Sequence, residues 1–282
     1  ALNFYLKPKE VLQISYDPTL FTAVSVKRML THVLQIVRNI LAAPEQRMGN
    51  LTILPTTERT LLLETWNNWP KPVTKGSIIT DFAEQVAKQP NVAAVIDPAF
   101  GTLTYAELDE KSSQLAAYLQ QSGIRNGRIG LHLERTVHFP IGFWAILKSG
   151  NTYVPLDAKH PPQRLAYMID NAQLDAIISH SALQADLPTA DRPVVLIDEL
   201  EPKLADQPAL EQADMAETAV ILFTSGSSGQ PKGVRLPQQA VQTYMHTAVN
   251  QFQLTPSDNL LQFASIGFDT SLEETLSAHL SG

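Results

Sequence analysis

Residues 223–234, FTSGSSGQPKGV, combine hydroxyl side chains, glycines and one lysine directly after the apolar run TAVILF at 218–223. Glycines let backbone amides approach an anion closely, hydroxyls donate to phosphate oxygens, and a lysine adds a mobile positive charge. These residue types indicate a phosphate-binding loop, and a flexible surface loop without a ligand is the alternative. The candidate phosphate-binding residues are Thr224, Ser225, Gly226, Ser227, Ser228, Gly229 and Lys232.

Two other phosphate-binding motifs do not fit this loop. A Walker A loop requires Ser or Thr after its Gly-Lys pair, whereas Gly233 follows Lys232 here. The glycines at 226 and 229 also lack the Rossmann spacing G-x-G-x-x-G. The loop therefore belongs to neither motif.

Composition excludes several classes of function. The net charge of -7 and the lack of a basic run argue against a nucleic-acid partner. The chain has no Cys, and its seven His are scattered without ligand-like spacing, so we expect no protein metal site. No signal peptide is recognisable, and no apolar run reaches the ~20 residues that span a membrane. We expect a cytoplasmic protein without a membrane partner.

The elements before the loop fall into two parts. Residues 1–16 alternate as a strand pair, and apolar residues recur at helical spacing from Val24 to Leu41. Four prolines within residues 44–76 indicate a linker that packs rather than a free tether. The chain is long enough for two units.

Helical patches alternate with short apolar runs after residue 76. The runs are VAAVID at 92, RIGLHL at 128, TYVPLD at 152, LDAIISH at 174, PVVLID at 193 and TAVILF at 218. This alternation predicts an α/β fold in which the runs form a mostly parallel sheet with crossover helices. A continuous apolar strand such as 219–223 suits a sheet covered on both faces.

The loop closely resembles the phosphate-binding loop of the adenylate-forming superfamily, whose usual form is Tyr-Thr-Ser-Gly-Thr/Ser-Thr-Gly-x-Pro-Lys-Gly-Val. Phe223 and Ser228 are mild departures from it. Three further stretches resemble motifs of the amino-acid adenylation domains of nonribosomal peptide synthetases. They are LTYAELDEKSSQLAAYL (103–119), LKSGNTYVPLDAKHPPQRL (147–165) and FDTSLEE (268–274). Ser149 and Thr152 replace small alanines of the second motif.

The resemblance extends to the residues before the adenylation motifs. LQISYDPTLF with its following helix, and then LPTTERTLLLETWN, are similar to the end of a condensation domain and its linker. The implied boundaries are 1–46 for the condensation-domain end, a short α+β tail, and 47–72 for the linker. Residues 73–282 would then be the N-terminal subdomain of an adenylation domain, itself incomplete.

The resemblance implies a reaction between an amino acid and ATP that gives aminoacyl-AMP and pyrophosphate. The aminoacyl group would then pass to the phosphopantetheine thiol of a peptidyl carrier domain in the same synthetase. Lys232 and Thr224 would be the catalytic residues of the loop, and Mg²⁺ would accompany ATP. The alternatives are a standalone acyl-CoA or fatty-acyl-AMP ligase and a non-catalytic structural fragment.

The family's later motifs are an adenine and magnesium motif, a ribose-binding Asp, a hinge and a C-terminal subdomain with a catalytic Lys. None of them is present in this sequence, so we expect the chain alone to be inactive.

The resemblance also implies three residues that contact the amino acid. Asp269 would bind the α-ammonium group, and Thr270 and Glu273 would line the side-chain pocket. A buried carboxylate at Glu273 would favour a basic side chain (Lys, ornithine or Arg) first and Gln second. The alternatives are that Asp269 is a helix N-cap and that Glu273, with its neighbour Glu274, only supplies charge to a helix N-terminus.

Overall fold

The structure is a computed structural model that describes residues 2–7, 11–68, 76–189, 191–206, 210–211, 213–224 and 230–282. The chain divides into two compact units, Ala1–Lys71 and Pro72–Gly282. Within the described ranges, no helix combines the length and the apolarity needed to cross a membrane. The two units are described in turn.

The first unit contains the strand pair and the long helix that the sequence predicts. Strands β1 (Leu2–Lys7) and β2 (Val11–Tyr16) pair antiparallel, and helix α1 (Ala23–Ala42) follows. The Thr22 hydroxyl caps α1 by accepting a hydrogen bond from the Ser25 amide. A 3-10 turn at Met48–Asn50 leads to helix α2 (Thr56–Thr60), which continues as a π-helical turn.

Polar side chains attach the segment after α1 to the helix itself. Glu58 lies 3.4 Å from Arg28 Nε and 2.6 Å from His32 Nε2, and the Asn39 amide donates to the Thr52 carbonyl at 2.7 Å. This part of the predicted linker is therefore held against α1 rather than extended away from it.

The second unit is built around a six-stranded sheet. The strands of the second unit are β3 (Ala93–Asp97), β4 (Gly101–Thr104), β5 (Arg128–His132), β6 (Thr152–Pro155), β7 (Ala176–Ser179), β8 (Val194–Leu196), β9 (Thr218–Thr224) and β10 (Lys232–Pro237). Its helices are α3 (Ile78–Lys88), α4 (Tyr105–Gln121), α5 (His138–Lys148), α6 (Pro162–Ala172), α7 (Ile197–Leu200), α8 (Gln238–Phe252) and α9 (Asp269–Ser281), with 3-10 turns at Ser181–Asp186 and Glu201–Asp206. The strand order in the large sheet is β10-β9-β6-β5-β7-β8.

Five strands of this sheet are parallel, as the alternation predicts, and β10 pairs antiparallel with β9 at the edge. One prediction is wrong, because the run at 92–97 forms β3 in a separate antiparallel hairpin with β4. Only residues 98–100 separate these two strands. A connection of that length reverses the chain and is too short for the crossover that a parallel pair needs.

Apolar side chains cover both faces of the sheet, as the continuous apolar strand predicts. Along β9, Val220 and Leu222 pack into one buried cluster, whereas Ile221 and Phe223 pack into a second cluster on the other face. The first cluster includes side chains of α3, α4, α5, α8 and α9, and the second includes side chains of α6.

Helix α9 is anchored to the larger core by a buried histidine. Trp144 Nε1 donates to His279 Nδ1 at 3.1 Å, and the Trp144 ring stacks on Phe82 with 4.2 Å between centroids. The Tyr105 hydroxyl lies 3.2 Å from the carbonyl of Ala278, at the same end of α9. Because Nδ1 accepts a hydrogen bond, the ring carries its proton on Nε2 and must stay neutral.

We expect the protein to lose stability as the pH falls from 6.5 to about 4. Burial lowers the pKa of His279 to about 4, against a hydrogen bond to the Ala94 backbone that opposes the shift. The unfolded chain binds a proton at this ring below pH 6.5, whereas the folded core does not until about pH 4. The loss approaches a value on the order of 3 kcal/mol, since one pKa unit is worth about 1.4 kcal/mol. Urea titrations at pH 7.0 and 4.5 measure it.

The matched variant is His279→Asn, whose side-chain oxygen can accept the Trp144 hydrogen bond but cannot titrate. Its stability should differ less between the two pH values than that of the wild type. Equal pH dependence in the two proteins would assign the acid sensitivity to other groups.

Candidate active site

The β9–β10 hairpin brings together the two ends of the glycine-rich loop. Thr224 is the last residue of β9, Lys232 is the first of β10, and the two are direct partners across the antiparallel ladder. Such partners have Cα atoms about 4.5–5.5 Å apart. Both residues are exposed, so a hydroxyl and an ammonium group face solvent at the carboxyl end of a sheet strand.

That end of a parallel sheet is where open α/β folds bind ligands. The other predicted phosphate-binding residues, Ser225, Gly226, Ser227, Ser228 and Gly229, lie outside the described residues.

The residues predicted to bind the amino-acid substrate lie on the first turns of α9. Asp269 and Thr270 are its first two residues and are exposed, and Glu273 is half-buried one turn later. The N-cap residue is Phe268 rather than Asp269, and Asp269 Oδ1 accepts only the amide of Thr270, at 2.9 Å, within the described part of the chain. The N-cap alternative for Asp269 is therefore wrong, and its second oxygen is left for a ligand.

An apolar pocket of about 280 Å³ lies beside Asp269. Strand β10 and helices α8 and α9 form it, and its lining residues are Leu236, Ala240, Val241, Tyr244, Met245, Asp269 and Leu272. We call it the carboxylate pocket. A ligand that fills the pocket would displace water from the exposed Asp269 carboxylate, and a cationic group on that ligand would offset this cost.

Glu273 is connected to this pocket through Tyr244. The Tyr244 hydroxyl donates a hydrogen bond to Glu273 Oε2. This bond, together with burial and the charges of Glu273 and Asp269, raises the pKa of Tyr244 to about 12. The hydrogen bond occupies one carboxylate oxygen and leaves acceptor capacity for another donor.

Sequence reasoning missed Tyr244. The helical spacing of Val241, Met245 and Ala248 indicates that α8 could have been predicted. No local signal, however, marks a tyrosine whose partner lies 29 residues further along the chain.

The described residues contain no group of three or more His, Asp or Glu side chains placed to hold a metal ion. The Thr224 hydroxyl is an exposed oxygen at the hairpin and could act as one ligand of a nucleotide-bound cation. A magnesium ion at this site would therefore depend mainly on phosphate oxygens.

This chain is similar to a known enzyme family and to several much larger proteins. The family described as "AMP-binding enzyme" matches residues 82–282. Tyrocidine synthase 3 of Brevibacillus parabrevis is 34% identical over 274 residues, which are 95% of this chain and 4% of that protein. Bacitracin synthase 3 of Bacillus licheniformis is 30% identical over 277 residues, 95% of this chain and 4% of that protein. The chain thus spans 4% of the length of either curated relative.

A crystal structure of a four domain nonribosomal peptide synthetase bound to AMP and glycine has the same fold. The match covers 100% of this chain and 21% of the synthetase chain, with a TM-score of 0.80 and 25% sequence identity. The predicted α/β class, an adenylate-forming N-terminal subdomain with mostly parallel strands, is confirmed.

We expect Tyr244 to ionise near pH 12 and to do so more easily once Glu273 is neutralised. Glu273→Gln removes the main cause of the raised pKa, so the Tyr244 pKa should move back towards 10. The measurement is the phenolate absorbance during an alkaline titration. The chain has seven tyrosines, so a Tyr244→Phe protein supplies the difference spectrum. A Tyr244 pKa that is unchanged in Glu273→Gln would show that the hydrogen bond does not form.

Proposed function

Because this chain belongs to the family of AMP-binding enzymes, we propose that it is the part of a nonribosomal peptide synthetase that activates an amino acid with ATP. The products are aminoacyl-AMP and pyrophosphate. One observation carries the proposal: β10 begins at Lys232 in the hairpin and lines the carboxylate pocket with Leu236. Four residues of strand span roughly 13 Å, a distance comparable to the length of an amino acid in line with a triphosphate.

The reaction requires two anions to be held together. A carboxylate oxygen of the amino acid attacks the α-phosphorus of ATP, the bond between this phosphorus and the bridging oxygen breaks, and pyrophosphate leaves. Lys232 and Thr224 at the hairpin would bind the β- and γ-phosphates, with the residues from Ser225 to Gly229 completing the loop. Mg²⁺, when bound, offsets the phosphate charge.

Asp269 would bind the α-ammonium group of the amino acid. Its free oxygen and its place beside apolar walls favour this pairing, since a cation offsets the cost of a carboxylate near apolar surface. The same feature disfavours a fatty-acyl substrate, which would leave the carboxylate without a partner. Thr270 is the residue of α9 next to Asp269, and the lining residues of the carboxylate pocket do not include it.

Glu273 would select the substrate side chain. It is half-buried, and its bond to Tyr244, a residue of the pocket wall, places it close to the pocket. The proposed substrates have a donor on the side chain, with a basic amino acid such as Lys, ornithine or Arg first and Gln second.

We further propose that residues 1–46 are the end of a condensation domain, 47–72 a linker and 73–282 the adenylation part. The division between Lys71 and Pro72 supports a boundary near residue 72. The full coverage of this chain by a four domain synthetase supports the three parts belonging to one such protein. The partners would be the condensation domain and a peptidyl carrier domain of the same synthetase, whose phosphopantetheine thiol accepts the aminoacyl group. A cytoplasmic location is part of this proposal.

Replacing Lys232 should impair the use of ATP more than the recognition of the amino acid. Lys232→Ala removes a charge-assisted contact to phosphate worth about 1.5–3 kcal/mol, so the kcat/KM for ATP should fall roughly 10- to 100-fold. Exchange of labelled pyrophosphate into ATP, in the protein that contains these residues, measures kcat/KM for ATP and for the amino acid. The matched control is Lys88→Ala on α3, whose lysine pairs only with Glu84 among the described residues. An unchanged ATP dependence in Lys232→Ala would exclude the phosphate role.

Removing the Glu273 charge should change the choice of amino acid. With a panel of amino acids in the same exchange assay, the wild type should prefer Lys, ornithine or Arg. Glu273→Gln should lower kcat/KM for that substrate by about 10- to 100-fold while affecting apolar amino acids less. A wild-type preference for a large apolar amino acid would contradict the assignment of Glu273.

A further inference from the structure

Residues 262–268 lead directly into Asp269, and we call them the leading segment. Their first part contains no regular helix or strand. Two charged side chains bind its backbone. The Glu274 carboxylate accepts the amides of Phe263 and Ala264, both at 3.0 Å to Oε2. The Arg135 guanidinium donates to the carbonyl of Phe263 and lies 3.5 Å from the carbonyls of Gln262 and Ala264.

A third charged group, Asp157, binds the middle of the leading segment. The Ser265 hydroxyl donates to Asp157 Oδ2 at the carboxyl end of β6. Burial would raise the pKa of Asp157, but hydrogen bonds from Ser265 and the Lys159 amide, with the nearby His160 and Lys159 charges, outweigh it, so the pKa is lowered. Asp157 therefore stays an anion and a strong acceptor.

The two phenylalanines of the leading segment contribute little to fixing it. Phe263 is 76% exposed and Phe268 is 65% exposed, so their burial adds little stability, whereas Ile266 is buried in the core. The Ser271 hydroxyl also bonds to the carbonyls of Ile266 and Phe268, which fixes the last part of the segment. Within residues 262–264, the Gln262 amide also donates to the Thr275 hydroxyl on α9 at 3.4 Å, a long and neutral hydrogen bond. The charged hydrogen bonds are shorter and stronger, so they contribute most to the position of these residues.

Arg135 and Glu274 come from different parts of the fold. Arg135 follows β5 at the carboxyl edge of the sheet, and Glu274 lies on α9, one helical turn and a half after Asp269. The leading segment is therefore held between the sheet and the helix that carries the candidate substrate-binding carboxylate. Arg135 and Asp157 also border a cavity of about 420 Å³ next to the segment, so open space rather than packed side chains lies on that side.

We propose that Glu274 and Arg135 are positioning residues for amino-acid recognition. They bind the leading segment from two sides and so fix where Asp269 meets the substrate ammonium group. This proposal rests on the proposed function, since it assigns these residues to the same site. Loss of either group lets residues 262–264 move, which weakens amino-acid binding without touching the phosphate hairpin.

Two variants and one control test the proposal in the protein that contains this chain. Glu274→Gln removes the charge and replaces one acceptor oxygen with an NH₂ group, which cannot accept a backbone N–H. Arg135→Lys keeps a positive charge but loses the planar guanidinium that can donate to several carbonyls. Glu110→Gln changes an exposed glutamate on α4, whose described contact is with Gln114, and serves as the control. Hydrogen exchange of peptides covering residues 260–268 reports directly on the hydrogen bonds of the leading segment. Pyrophosphate exchange gives KM for each substrate.

For Glu274→Gln, we expect exchange at residues 263 and 264 to accelerate about 10-fold and KM for the amino acid to rise about 10-fold, the effect of losing one charged hydrogen bond. KM for ATP should stay within about twofold, and Arg135→Lys should show a smaller change of the same kind. Unchanged exchange on α4 peptides in both variants establishes that the fold is retained.

Four outcomes would overturn the proposal. Unchanged exchange at 260–268 would show that the two side chains do not hold the segment. Faster exchange with an unaltered KM for the amino acid, or an equal rise in both KM values, would show a structural contact without a role in recognition. A wild-type protein that shows no amino-acid-dependent exchange of pyrophosphate into ATP would overturn the proposed function itself. The recognition role of Glu274 and Arg135 would then be overturned as well.

Discussion

The position of α9 is the constraint on which the candidate site depends, because its first residue is Asp269. At its carboxyl end, the neutral ring of His279 accepts a hydrogen bond from Trp144 inside the core. At its amino end, Glu274 and Arg135 bind the backbone that enters the helix. Burial fixes the carboxyl end, and at the amino end the charged hydrogen bonds add to the burial of Ser271 and Leu272. The exposed carboxylate of Asp269 therefore projects from a helix held at both ends.

The two halves of the site are joined by a single strand. β10 carries Lys232 at its start and contributes Leu236 to the wall of the carboxylate pocket. At the proposed phosphate end, Thr224 and Lys232 supply a hydroxyl and an ammonium group, which suit an anion. At the proposed amino-acid end, carboxylates lie beside apolar side chains, and a cation would be the favourable partner. With Lys232 at one end and Asp269 at the other, the phosphates of ATP would lie at the hairpin and the ammonium group of the amino acid would lie at α9.

Much of the fold could be predicted from sequence, because buried parallel strands leave continuous apolar runs such as 219–223. The run at 92–97 was misassigned because apolar composition does not distinguish a hairpin strand from a central one. β10 was missed because KGVRLP is an exposed edge strand with few apolar residues.

Motifs mark Asp269 and Lys232 as candidate residues from the sequence alone, and their roles stay predictions. Contacts between residues that are distant in the sequence carry no such mark. Glu274 looks like one more charge at a helix start, but its carboxylate binds backbone amides 10 and 11 residues earlier. Tyr244 likewise reaches its partner, Glu273, only because α8 packs against α9. Such pairings are set by packing between elements, which local sequence patterns do not encode.

A double-mutant cycle of binding tests whether Asp269 binds the substrate ammonium group. The ligands are a non-hydrolysable aminoacyl-adenylate analogue and the same molecule without its α-amino group, each titrated against wild type and Asp269→Asn. We expect loss of the amino group to weaken binding to the wild type at least about 10-fold and to have little effect on the variant. An equal loss of affinity in both proteins would contradict it.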